Sequence, residues 1–170
     1  MVSTDKIKEL RGLTGAGVMD CKKALVETEG DIEAAIQVLR ERGWSKLQEK
    51  AGKVTKEGMV DSYIHAEGKI GVLLEVNCET DFVAKNKDFR DFVHNLALHI
   101  TASNPLYISE EDISQEDQFP DSAPEDDCLL EQAYVKDPEI RVKDYLAEIA
   151  AKIGENIVIR RFVRYELGKE

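Results

Sequence analysis

The hydrophobic period of this chain changes near residue 56, and that change limits the fold to a helical segment followed by a mixed one. Up to Gly43 apolar residues recur at three- and four-residue spacing, as on amphipathic helices. "STDKIKELRGL" sets Ile7 and Leu10 on one side, with Ser3 or Thr4 as N-cap. "VMDCKKALVETEG" aligns Val18, Cys21, Ala24 and Leu25 on a second helix, stopped by Gly30. "DIEAAIQVLRERG", capped by Asp31, carries Ile32, Ala35, Ile36 and Leu39 and is expected to end at Gly43. Residues 1–43 therefore read as a three-helix domain, and 44–55 as a polar connecting helix or linker. From residue 56 the period is two. "EGMVDSYIHAEGKIGVLLEVN" reads as two strands joined at Glu67-Gly68, with Ile70, Val72, Leu74 and Val76 on one face. "KDFRDFVHNLALHITAS" is a helix with an apolar stripe of Phe89, Phe92, Val93, Leu96, Ala97 and Ile100, ended by Asn104-Pro105. "VKDYLAEIAAKIGEN" turns Tyr145, Leu146, Ile149 and Ile153 inward, and "NIVIRRFVRYEL" is a β-branched closing strand. The predicted fold of 56–170 is α+β, helices packed on one face of a small antiparallel three-stranded sheet.

Charge narrows the function classes. The net charge is −11, and residues 109–135 alone carry ten acids and no base. The acidic region 109–127 reads as a solvated loop that favours solubility. An acidic chain without a large basic patch is a poor ligand for nucleic acid, because phosphate contacts need Lys and Arg. No apolar run approaches the ~20 residues that span a bilayer, and the start "MVSTDKIKELR" lacks the apolar core of a signal peptide. Three cysteines far apart, Cys21, Cys78 and Cys128, do not form a disulfide framework, and a cytoplasmic location is expected.

Motifs for bond chemistry are missing from the sequence. Gly12 and Gly17 have the spacing of the outer phosphate-loop glycines, but Val18 stands where that loop needs lysine, and the segment follows a helix instead of a strand. His94 and His99 lie roughly 140° apart around a helix and share no face. No Cys-x-x-Cys or His-Glu-x-x-His spacing marks a metal site, and no Gly-x-Ser-x-Gly elbow marks a nucleophile. The expectation is a binding protein without catalytic residues, metal or cofactor.

The stretch "NCETDFVAKN", residues 77–86, joins the second strand to the long helix. Thr80 can N-cap a turn over "DFVAK", and Asp81 suits the helix dipole. Periodicity leaves two readings of Phe82 open: a core anchor at the corner, or an exposed contact for another molecule.

Three segments carry a resemblance to a known family. "KIKELRGLTGAGVMDCKKALVETEGDIEAAIQVLRERG", "EVNCETDFVAKN" and "AAKIGENIVIRRFVRYELG" resemble, in order, the signature regions of bacterial and organellar elongation factor Ts. The resemblance spans essentially the whole chain, with 109–127 its least specific part. It implies a ubiquitin-associated-like (UBA-like) bundle followed by a dimerisation-type α+β core, and guanine-nucleotide exchange on the GTPase elongation factor Tu. On that resemblance Asp81 and Phe82 are the working pair: Phe82 wedges between helices of the GTPase domain, and Asp81 disturbs the groups that hold Mg²⁺. Thr80 and Val83 beside them belong to the same contact. Lys8, Arg11, Val18, Met19 and Lys22 match positions that contact the GTPase domain, and Ile153 and Gly154 of "KIGENI" match a further contact. Many members have two methionines where this chain has Val18-Met19. Long members also carry a second core module and a coiled-coil insertion that are absent here, so a homodimer is the implied way to supply the missing half. The alternative reading is an adaptor that binds another protein through its UBA-like helices without exchange activity.

Overall fold

A computed structural model describes residues 2–50, 52–113 and 124–169. Three helices open the chain: α1 (Thr4–Thr14), α2 (Val18–Glu27) and α3 (Ile32–Glu49). Ser3 caps α1 by accepting from the Lys6 N–H, and Asp31 caps α3 by accepting from Ala34. Leu10, Cys21, Ala24, Leu25 and Ala35 form their buried centre, with Ile7, Ile32, Ile36 and Leu39 around it.

Helix α3 corrects one expectation: it does not end at Gly43 but continues to Glu49. Glycine stops a helix when it turns left-handed. Gly43 instead stays helical, and its missing side chain admits another backbone, since a Cβ there would sit 3.4 Å from the Ala147 carbonyl oxygen. Trp44 and Leu47, beyond Gly43, pack into the second core and hold the extra turns in place. Helix α3 thus contributes Ala35 to the first core and Leu47 to the second.

The second core is built on a three-stranded antiparallel sheet of order β1-β2-β5, from β1 (Glu57–His65), β2 (Ile70–Cys78) and β5 (Ile157–Glu166). The β1–β2 turn falls where expected, and Ala66, Glu67 and Gly68 take it with positive φ. Val72, Leu74, Val76 and Cys78 of β2 are buried on one face. Helix α5 (Lys87–Ser103) lies across β1 and β2, and all of its predicted stripe residues are fully buried. Helix α7 (Val142–Ile153) packs on α5 and α3. Its inward face is centred on Leu146, Ala147 and Ala150, while Tyr145, Ile149 and Ile153 flank it half-buried. Small residues take the centre because α3 crosses there at Gly43.

Shorter elements complete the core: one turn, α4 (Asp81–Ala84), another, α6 (Pro124–Asp127), and a ribbon of β3 (Ala133–Tyr134) with β4 (Asp137–Arg141). The ribbon is too short to leave a periodic signal. Residues 114–123 of the acidic region lie outside the described residues. Its flanks are joined, with Leu129 N–H donating to Tyr107 O at 2.9 Å and Leu130 N–H to Ile108 O at 3.0 Å. Buried His99 ties this segment to α5: the Val135 N–H donates to Nδ1 at 3.2 Å, which leaves Nε2 to donate to Gln132 Oε1 at 2.9 Å.

Candidate functional site

The corner between β2 and α5 is shaped by a single helical turn. Thr80, extended at φ −129° and ψ 153°, accepts from the Val83 N–H at 3.4 Å, the predicted N-cap. One turn can direct only one of three consecutive side chains into the core. Val83 takes that place at 5% exposure and belongs to the main core. Val83, expected in the same contact as Asp81 and Phe82, is thus placed with its side chain anchoring the corner from below. Phe82 and Asp81, rotated away from Val83, point outward. Phe82 is 78% exposed. Burying a phenylalanine side chain is worth roughly 1.5–3 kcal/mol, so the free protein forgoes most of that stabilisation at this position.

Asp81 is exposed and pairs with Lys85 one turn later at 2.7 Å. That hydrogen bond, and the lysine charge behind it, hold the Asp81 carboxyl below its ordinary range, so it is ionised at neutral pH. Cys78 lies buried just before the corner and donates from Sγ to Thr80 O at 3.2 Å. Burial first, and then the Glu155 charge, push its thiol up to about 11, so it stays protonated and serves as a bolt, not a nucleophile.

The turn after α7 is laced to this corner. Gly154 closes α7 with φ 85° and is exposed, and Ile153 beside it is half-buried against the core. Glu155 Oε2 accepts from the backbone N–H groups of Glu79 and Thr80, both at 3.1 Å, and Oε1 accepts from the Thr80 hydroxyl at 2.6 Å. In return Glu79 accepts from the Asn156 N–H at 2.7 Å and from Lys53 Nζ at 3.1 Å. The end of α3 joins in: Lys50 Nζ donates to Gly154 O at 2.8 Å, and Asn156 Nδ2 donates to Lys50 O at 3.0 Å. Two predicted contact points, Asp81-Phe82 and Ile153-Gly154, thus stand on one hydrogen-bonded mount. Glu79 and Glu155 lie too far apart in the chain for any pattern to have linked them.

The other predicted residues lie on the three-helix end. Lys8 and Arg11 of α1 and Lys22 of α2 are exposed, as are Val18 at 49% and Met19 at 62%. Val18 shares its helical spacing with Cys21, Ala24 and Leu25, but those three are buried and Val18 is not. Val26, one face-repeat beyond Met19, is exposed too and lines a shallow groove with Met19, Lys22 and Arg42.

A second apolar surface escaped the sequence reading. On the sheet face opposite the helices, Ile64, Gly71 and Tyr165 form one cross-strand row, and Ser62, Leu73 and Val163 the next. Val60, Ile64, Leu73, Val163 and Tyr165 are all exposed. Its trace in the sequence is Leu73, an apolar residue on the face where alternation calls for a polar one. Among the described residues no helix is long and apolar enough to cross a membrane.

Residues 16–118 match the family model described as "Elongation factor TS". The chain is 49% identical, over a 196-position alignment, to elongation factor Ts of Caldanaerobacter subterraneus subsp. tengcongensis, covering 99% of this chain and 98% of that protein. It is 50% identical to elongation factor Ts of Thermoanaerobacter pseudethanolicus, covering 99% of this chain and 96% of the relative. It is 47% identical to that of Moorella thermoacetica, with 99% and 97% covered.

Proposed function

The chain belongs to the elongation factor Ts family of translation elongation factors, and on that premise we propose that it is a guanine-nucleotide exchange factor for elongation factor Tu. The observation that carries the reading is Phe82: a phenylalanine 78% exposed beside an ionised aspartate, on a corner anchored by Val83 and pinned by Glu155. A ring left in water at a braced position suits insertion into a partner, because the mount resists being pushed back. Phe82 enters between helices of the GTPase domain, and Asp81 disturbs the groups that hold Mg²⁺. Loss of that ion removes the main counter-charge of the diphosphate, and GDP leaves. No bond is made or broken by this chain. Exchange follows from reciprocity: a protein that binds the nucleotide-free GTPase more tightly weakens GDP by the same factor.

The exposed groups of the first three helices, Lys8, Arg11, Val18, Met19 and Lys22, form the second contact with the GTPase domain, and Ile153-Gly154 a third. On the same resemblance those helices are a UBA-like bundle, and the protein acts in the cytoplasm, where elongation takes place. The competing reading, an adaptor binding only through the bundle, leaves the exposed Phe82 without a role.

The test is release of fluorescent GDP from purified elongation factor Tu with and without this protein. Acceleration by the wild type, reduced about thirtyfold by Phe82→Ala, is expected, since a central aromatic anchor is commonly worth at least about 2 kcal/mol. No acceleration by wild-type protein overturns the exchange reading and favours the adaptor.

The apolar outer face of the sheet supports a homodimer. A one-sided antiparallel sheet ordinarily presents polar residues to solvent, and here Ile64, Leu73, Val163 and Tyr165 stand in adjacent rows. A second copy laid face to face covers both surfaces at once and supplies the second module that long members carry in one chain. Sedimentation equilibrium at micromolar protein is expected to give twice the 19.1 kDa chain mass. A monomer, or a dimer that Leu73→Lys does not dissociate, rules out this face as the interface.

A further inference from the structure

We propose that Glu155 is a positioning residue for nucleotide exchange: it holds the peptide of Glu79-Thr80 rigid so that Phe82 meets the partner already oriented. The inference rests on the exchange reading above. Its basis is the direction of the hydrogen bonds. The Val83 N–H and Cys78 Sγ tie the hydroxyl and carbonyl of Thr80 to the core, but neither takes the N–H groups that orient the Glu79–Thr80 dipeptide before Asp81. Glu155 does: its one carboxylate takes both N–H groups of that dipeptide and the Thr80 hydroxyl. Bonds to an ionised acceptor are about twice as strong as neutral ones. Glu79 closes the clasp in the opposite direction on Asn156, so each strand of the junction holds the other. The Asn156 N–H holds the Glu79 carboxyl below its ordinary range, with Lys53 adding to the effect.

Without the clasp, about one residue's worth of backbone freedom in the Glu79–Thr80 dipeptide would have to be ordered as Phe82 inserts, since Cys78 and Val83 still hold Thr80. Fixing one residue's backbone reduces an equilibrium constant by about tenfold. That cost falls on the strained complex in which GDP leaves, while first encounter rests largely on Lys8, Arg11, Val18, Met19 and Lys22. The loss therefore appears in kcat and little in KM.

The experiment compares wild type, Glu155→Ala, Glu155→Gln, Phe82→Ala and Glu155→Ala/Phe82→Ala in steady-state exchange on elongation factor Tu·GDP. Glu155→Ala is expected to lower kcat about tenfold with KM within about twofold. Glu155→Gln, which keeps one acceptor for the two N–H groups, falls between it and wild type. In the Phe82→Ala background the Glu155 substitution has no further effect, because it acts through the missing ring. A wild-type kcat for Glu155→Ala overturns the inference, and so does a full tenfold loss added to that of Phe82→Ala. A Glu155→Ala protein that fails to fold leaves the decision to Glu155→Gln. Should wild-type protein not accelerate GDP release, the exchange reading falls, and the clasp is judged by amide hydrogen exchange. Glu79 and Thr80 must then exchange about tenfold faster in Glu155→Ala, and unchanged rates overturn it.

Discussion

Substitutions at Gly43 test how the two cores are joined, because the same position is predicted to change sign with side-chain size. Glycine inside a helix costs roughly 1 kcal/mol relative to alanine. A Cβ at residue 43 would meet the Ala147 carbonyl oxygen at 3.4 Å and its carbonyl carbon and Cβ at 3.6 Å, the near edge of ordinary contact. Gly43→Ala is therefore expected to keep most of the helix gain and stabilise by about 0.5–1 kcal/mol. For a chain of this length that raises Tm by roughly 1–4 °C. Leucine has nearly the same helix propensity as alanine, so the difference between the two variants isolates packing. Its further carbons extend past a Cβ already touching Ala147, beside a groove of about 260 Å³ lined by Gly43, Leu47, Ala147 and Ala151. Overpacking that presses on the Ala147 backbone costs about 1–3 kcal/mol. Gly43→Leu is expected to be about 2 kcal/mol less stable than Gly43→Ala. Thermal unfolding followed at 222 nm, with urea titrations at fixed temperature, measures both differences. If Gly43→Leu proved as stable as Gly43→Ala, the side chain would have found room in that groove, and overpacking at the α3–α7 crossing would be refuted.

Three further outcomes are expected. Phe82→Ala changes unfolding free energy by no more than about 0.5 kcal/mol, since the ring is mostly in water, and a larger loss in urea titration would mean that it packs as core. Gly58→Ala destabilises by at least about 2 kcal/mol, because φ is +146° and the new Cβ would lie 2.2 Å from Val76 O; near-wild-type Tm would contradict that geometry. Burial holds the His99 pKa below its ordinary 6.5. Below pH 6.5 the unfolded chain then takes up a proton that the folded one refuses, so this residue's contribution to stability falls with pH until the folded pKa is reached. Nitrogen NMR at pH 6.5 should find the neutral imidazole with its proton on Nε2, and an imidazolium signal would rule the tautomer out.

What the sequence determined is what depends on near neighbours. The stripe from Phe89 to Ile100 buries itself because a 3.6-residue period places those side chains on one side wherever the helix goes. Alternation in β2, the caps at Ser3, Asp31 and Thr80, and the stop at Asn104 are legible for the same reason. The corner that carries the candidate site was legible too, from a strand pattern meeting a helix pattern at residues 77–86. Its orientation was not. A single turn is too short to have a period, so only the packed core decides that Val83 points in and Phe82 out. Tertiary structure likewise overruled the local signal at Gly43, where contact with Ala147 and the burial of Leu47 outweigh a glycine's tendency to end a helix. It alone brought the Glu155 carboxylate to Glu79 and Thr80, and it alone left the apolar outer rows of the sheet uncovered. Hydrophobic period is a property of one segment, whereas a clasp or an uncovered face exists only once segments distant in sequence share the same space.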